Sequence, residues 1–268
     1  MRRAEIFWGS LLVLLGVLFF LKAAGYLTGD VFGWFWPLFI IAIGVWILIG
    51  GLMRVNFENA VKFSVPLDGA KEASLSISHG AGHIDLRAGA NAGDFLTGTA
   101  GTGMNQSSRL NGDRLEVRIE AGPSFMPFIG PEGGIWQYRL NPDLPTAIKI
   151  ESGASRLDID LTGLRVPLFS FNGGASRLNL TLPARMENVL VDIEAGAASI
   201  DLQVPQGVAM RFRTKSVGSL NIDESRWPRR EGGIYQSSDY DSAKYRAEVT
   251  IDGGATSITV RAANTGGA

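Results

Sequence analysis

The two histidines of the chain, His79 and His83, stand four residues apart in the run HGAGH. On a helix that spacing would bring both rings to one face, as a metal site requires. Two glycines lie between them here, the run leads into the strand-like HIDL, and no third ligand is apparent, so a pair at a turn is the better reading. Acidic residues supply a second set of candidates. Asp158, Asp160, Asp192, Asp201 and Asp223 alternate with apolar residues. Carboxylates stacked on neighbouring strands can bind calcium or act as a glycosidase pair. The plainer reading is a solvated strand face balanced in part by Arg156, Arg177 and Arg211, because exposed sheet surfaces need such charges. GTAGTGM, from Gly98, lacks the GxGxxG spacing of a dinucleotide loop and precedes no helix signal. The serines of ESGAS and NGGAS are not in a GxSxG elbow, and one histidine cluster leaves little for a Ser-His-Asp triad. With no cysteine, disulfides, thiolate metal sites and a cysteine nucleophile are excluded. No catalytic set, cofactor site or metal site emerges, and the chain reads as a non-enzyme.

One segment points to contact rather than chemistry. AGPSFMPFIGPEGGIWQY, from Ala121, carries Phe125, Met126, Phe128 and Trp136 among prolines and glycines. Such a loop either presents an apolar, partner-facing patch anchored by those side chains or folds over the end of the core. DESRWPRREGG, from Asp223, reads as an exposed loop whose arginines are diluted by neighbouring acids.

The elements that position these residues divide into two kinds. From Arg54 onward the texture is short period-two runs (VKFSV, ASLSI, LEVRI, LDIDL, LNLTL, VLVDI and AEVTI), each apolar on one face and punctuated by Gly, Asn, Asp and Pro. A repeat runs through them. SGASRLDIDL, GGASRLNLTLP and AGAASIDLQVP align on Gly153, Gly174 and Gly196, and weaker copies begin at His79, Lys215 and Asp252. Such a unit cannot bury its apolar face alone, so neighbours must stack. Leu157, Ile159, Leu161, Leu178, Leu180, Ile200 and Leu202 then form an internal ladder, with Gly and Ala allowing tight corners. The expected fold is all-β over 56–268, a stacked-repeat β-solenoid or a related two-layer β architecture, with a disordered tail from about residue 262.

Residues 1–55 are different. Ile6–Leu21 and Val31–Met53 carry no charge, and a spanning helix needs about 20 apolar residues. They predict a two-helix transmembrane hairpin, the first helix running on toward Leu27 with Lys22 snorkelling to the headgroups, and Asp30 capping the second. Arg2, Arg3, Arg54 and Lys62 flank the hairpin, whereas its connection holds Lys22 beside Asp30. Positive-inside counting puts both termini, and with them the β domain, in the cytoplasm. The β domain carries 21 basic and 24 acidic residues, without the clustered lysine and arginine that nucleic acid requires.

FWGSLLVLLGVLFFL followed by FGWFWPLFIIAIGVWIL resembles the LiaI–LiaF-type transmembrane region of bacterial envelope-stress proteins. The Gly/Ala/Ser-rich β repeat resembles the LiaF C-terminal, toast-rack and adhesin-type group of domains. The resemblance implies a non-enzymatic bacterial protein of the cell membrane that senses or modulates envelope stress through a membrane partner such as a sensor kinase. The alternative is a structural or adhesive envelope protein that displays its solenoid outside the cell. The expected partners are the bilayer and a membrane protein, not nucleic acid.

Overall fold

The computed structural model describes residues 3–26, 33, 35–41, 61–100, 104–121 and 135–263. The chain divides into two compact units, Met1–Asn56 and Phe57–Ala268.

In the first unit, helix α1 spans Arg3–Ala23. Leu12, Val13 and Phe20 are each about two-thirds exposed along it. The helix stops short of Leu27 because Gly25 takes φ +81°. The Tyr26 amide donates to the Leu21 carbonyl at 2.9 Å and the Gly25 amide to the Lys22 carbonyl at 3.1 Å. These two bonds form a Schellman cap, which a left-handed glycine makes accessible. The second apolar segment is helical at residues 33 and 35–41, and Asp30 lies outside the described residues. Among the described residues no helix is long and apolar enough to cross a membrane, so the structure does not display the expected hairpin.

The second unit is built from strands. Four are long: β2 (Glu72–Ala88), β7 (Thr146–Asp160), β8 (Leu168–Thr181) and β9 (Asn188–Val204). Each carries the glycine motif at its middle, where the in–out alternation slips by one residue. In β9 the exposed positions run Asp192, Glu194, then Gly196 and Ala197 together, then Ser199. A flat strand with such a slip would turn half of its apolar residues to solvent. A corner at the slip keeps both arms facing one core. The arms accordingly take different partners, the first arm of β9 pairing with β13 (Tyr245–Gly253) and the second with β14 (Ser257–Ala262).

Each bent strand, or pair of strands meeting at a corner, is therefore one rung. With β5 (Arg114–Ala121), β6 (Ile135–Leu140), β10 (Val208–Thr214) and β11 (Ser219–Ile222), the rungs stack as β5/β6, β2, β7, β8, β9, β13/β14 and β10/β11, every neighbour parallel. Antiparallel strands close the ends. At one, β4 (Met104–Asn111) pairs with β5, while β3 (Asp94–Ala100) and then β1 (Val61–Pro66) extend from β6. At the other, β12 (Ile234–Gln236) pairs with β10. The expectation of an all-β domain holds, its rungs are stacked in parallel, and the expected ladder of leucines and isoleucines is at most 2% exposed.

The corners explain the composition of the repeat. A side chain at Gly153 would place its Cβ 2.6 Å from the Gly80 carbonyl oxygen, and one at Gly174 would lie 2.8 Å from that of Gly153. Real Cβ atoms do not approach so closely, so these two corners admit only glycine, because the corner below presses against each. At the opposite ends of the rungs, Arg185 ties neighbouring connections together. Its guanidinium donates to the carbonyls of Pro142 and Gly163, each at 3.0 Å, and to Asp143 at 2.9 Å.

Candidate functional site

The histidine pair sits on the corner of β2, and the corner separates its members. The alternation slip turns His79 into the core at 3% exposure and leaves His83 on the outer face. The His79 ring lies edge-on to Trp136, centroids 4.6 Å apart at 83°. Its Nδ1 is 3.5 Å from Ser155 Oγ. Among the described residues its Nε2 has no partner. Burial of an imidazole with so little to stabilise its charge lowers the His79 pKa to about 4. His83 Nε2 instead meets Asp158 Oδ2 at 2.6 Å. The two rings do not converge, and among the described residues no group of three or more His, Cys, Asp or Glu is placed to hold a metal ion.

The acidic residues line the outer faces, as alternation requires. Asp85, Asp158, Asn179, Asp201 and Thr259 share one register row across five rungs. Each of the three carboxylates in the row has a basic partner. Asp85 accepts from Arg87 and, at 2.6 Å, from Arg139. Asp158 accepts from His83, from Arg156 at 3.1 Å and from Asn179 at 2.5 Å. Asp201 is gripped by Arg261. Partial burial pushes the Asp85 and Asp158 carboxyls up, but the hydrogen bonds from these partners outweigh it and hold both below the ordinary carboxylate range. A carboxyl held ionised in this way is poor as a general acid. Asp160 Oδ1 accepts the Thr162 amide at 3.0 Å, and Asp223 accepts from Ser225 at 2.6 Å. Of the arginines expected to balance this face, Arg156 does so directly. Arg211 pairs with Asp241 and Gln236 and lies over the Tyr240 ring. Arg87 reaches Asp85 two residues back on its own strand, whereas the roles of Arg139 and Arg261 were not legible from the repeat alignment, because their partners lie 54 and 60 residues away.

The apolar segment divides at its edge. Phe125, Met126 and Phe128 lie outside the described residues. Trp136 is 1% exposed, so its side chain is a core residue at the first rung rather than part of an exposed patch. Its burial follows from register. Trp136 lies beside Ile84, which lies beside Leu157. Trp227 likewise is 1% exposed, so the loop read as exposed sends one side chain into the core. The serines of ESGAS and NGGAS fill inner corner positions, Ser152, Ser155 and Ser176 each being under 10% exposed. GTAGTGM closes β3 at Ala100 and opens β4 at Met104.

An open groove of about 450 Å³ lies against β1, β3 and β6, lined by Lys62, Ser64, Thr97, Thr99, Gln137 and Arg139 together with Asn91 and Asp94. Nothing in the motifs pointed to it, because its lining comes from β1, β3, β6 and the turn at Asn91, which are not contiguous in sequence.

Residues 55–203 match the N-terminal domain of toast_rack, DUF2154, and residues 6–48 match a LiaI–LiaF-like transmembrane region. Comparison with curated proteins gives no match. Among solved structures, the fold is similar to that of a protein from Clostridium sporogenes ATCC 15579, provisionally described as a cell adhesion protein. The two superpose with a TM-score of 0.69 at 19% identity, over 76% of this chain and 99% of that one.

Proposed function

The chain belongs to the toast-rack N-terminal domain family and carries a LiaI–LiaF-like membrane region, and from that premise we propose that it is a non-enzymatic regulator of the bacterial cell envelope. In this reading the two apolar segments form a multi-pass hairpin with both termini in the cytoplasm. The β stack is a rigid docking platform, and a membrane protein such as a sensor kinase is the partner whose output it modulates. The observation that carries the reading is the state of the polar groups. The candidate carboxylates and histidines are dispersed over outer faces and corners, and the central ones are tied into Asp85–Arg139, Asp158–His83 and Asp201–Arg261 pairs. Among the described residues, such a surface is pre-formed and offers shape and charge to a partner.

A second reading is favoured by one observation, the fold shared with the clostridial protein described in adhesive terms. It makes the chain an envelope protein that displays its β stack outside the cell. The two readings differ in sidedness. Fusions after Ala268 to a fluorescent protein that matures in the cytoplasm and to a phosphatase active outside it separate them. A fluorescent fusion with an inactive phosphatase supports the regulator. The opposite pair of results transfers the assignment to the adhesive protein. Deleting the chain is then expected to alter the transcriptional response to cell-wall antibiotics, and an unchanged response argues against the regulatory role.

A further inference from the structure

A stack of strands has two ends, and each end strand presents backbone groups to whatever lies beyond it. Among the described residues, the outermost strands are β4 and β1 at one end and β12 and β11 at the other. Three of them carry ordinary protection. β12 has three residues and a further bridge between Tyr235 and Arg229. β11 has four residues. β1 has six, including Lys62 and ending on Pro66. β4 has neither device. It runs for eight residues, MNQSSRLN, with no proline, no lysine and one charge, Arg109. It also overhangs the core. Register with β5 puts Met104, Gln106, Ser108 and Leu110 on the inward side, beside Ala121, Ile119, Val117 and Leu115. Yet all but Met104 of these four are exposed, Leu110 at 44%.

The sequence of β4 is close to self-complementary. In an antiparallel pair with a second β4, centred on Ser107, Met104 faces Leu110 of the other copy and Gln106 faces Ser108. Arg109 faces Asn105. Apolar meets apolar on the inward side, amide meets hydroxyl, and the single cation meets a neutral amide, all in one register. Sliding the axis to Ser108 sets Leu110 against Gln106, and sliding it to Arg109 sets like charges face to face, which cross-strand pairs disfavour. We propose that two copies of this chain join β4 to β4, antiparallel about a twofold axis at Ser107, and so fuse their first arms into one continuous sheet. The arrangement is closed and isologous, and it consumes the unprotected edge without leaving another.

Pairing two eight-residue strands buries less than the roughly 1,200 Å² of an ordinary stable interface. The association is therefore weak in solution and depends on membrane confinement to raise the effective concentration of the partner. That step rests on the membrane association of the chain and not on its role as a regulator.

The chain has no cysteine, so one introduced thiol reports cleanly. Full-length S107C, reconstituted in lipid vesicles and treated with a mild oxidant, is expected to run mainly as a disulfide-linked dimer on a non-reducing gel. S64C on the β1 edge and S219C on the β11 edge are expected to stay monomeric. S107K, placing two ammonium groups at the axis, is expected to weaken dimerisation by about fivefold or more, whereas S219K leaves it unchanged. If circular dichroism finds S107C misfolded, mixed N105C and R109C chains carry the same test, since this register predicts a cross-link in the mixture and none in either alone. A folded S107C that stays monomeric under oxidation, or equal cross-linking at Ser64 and Ser219, overturns the proposal.

Discussion

The middle of the β stack and its two ends use the same rung but are wired differently. Along β7, β8 and β9 the order in the chain is the order in the stack. Gly153, Gly174 and Gly196 recur at intervals of 21 and 22 residues, and Leu157, Leu178 and Ile200 fall in one register row. At the ends this stops. Rung β2 is trapped between β7 and the later strands β5 and β6. Rung β13/β14 is the last of the chain, yet it slots between β9 and β10/β11. At each end the chain overshoots by one rung, lays down an antiparallel cap, and leaves or fills a gap. The middle is closed by local connections and the ends by pairings across tens of residues, whose loop-closure cost is met only when the whole end assembles.

The largest effect expected from this difference is in packing. Leu178 is fully buried in the central rung and touches rungs on both sides. L178A should cost about 2–5 kcal/mol. Leu220, on the outermost rung and only partly buried, should cost about 1 kcal/mol when truncated the same way. Thermal unfolding of the full chain in detergent, followed by circular dichroism, measures both. Equal losses would mean that the two regions do not differ in the way their wiring implies.

How much of this was readable beforehand follows from the same contrast. The inward ladder and the corners of the middle rungs were legible because alternation and a 21–22-residue recurrence are local. The copies at His79, Lys215 and Asp252 were recognisable as corners, but not their places in the stack, since order is fixed by which edges remain open after the neighbours have paired. For a related reason the sequence left Trp136 open between an exposed patch and a place over the end of the core, and its burial excludes the patch for this side chain. It stands near the start of β6, after a stretch of sequence rich in proline and glycine, and only pairing with Ile84 reveals that it completes a rung. The Asp158–His83 contact spans 75 residues, and no motif announces it.

The second effect sharpens the comparison at the first end, where His79 packs on Trp136. Its folded pKa of about 4 lies below its unfolded value of about 6.5. The unfolded chain therefore binds the proton more readily in this window, and stability falls as pH drops from about 6.5 toward 4, by about 3 kcal/mol in full. Asp85 and Asp158, held below the usual carboxylate range, add loss in the same direction at lower pH as they protonate. H79L should remove most of the slope between pH 6.5 and 4 in chemical-denaturation midpoints. A slope unchanged by H79L would assign it to other groups. Because His79 belongs to the first end, opening there should precede loss of the middle rungs, and hydrogen exchange at pH 5 should protect β8 longer than β2.

The third effect grades the corners. An added Cβ would stand 2.6 Å from backbone at Gly153, 2.8 Å at Gly174 and 3.4 Å at Gly196. Backbone yields less readily than a side-chain tip, so overpacking at the tightest corner should cost about 1–3 kcal/mol. The order G153A, then G174A, then G196A runs from most to least damaging. A G196A protein as unstable as G153A would show that the corners respond as one body rather than one contact at a time.

The smallest effect concerns the outer rows, which carry the most visible charges and the least stability. The Arg261–Asp201 pair joins the displaced rung β14 to β9. The Arg261 side chain is 57% exposed, so water and salt screen the pair. R261A should cost less than about 1 kcal/mol. Arg139 differs, because its side chain is 27% exposed and its partner Asp85 only 13%. Its removal leaves a more deeply set carboxylate with Arg87 as its remaining partner. R139A should therefore cost more than R261A, and its loss should persist in high salt while that of R261A fades. If both losses vanish together in salt, the outer rows contribute only screened surface charge, and the register of the displaced rungs is set by their apolar inner faces alone.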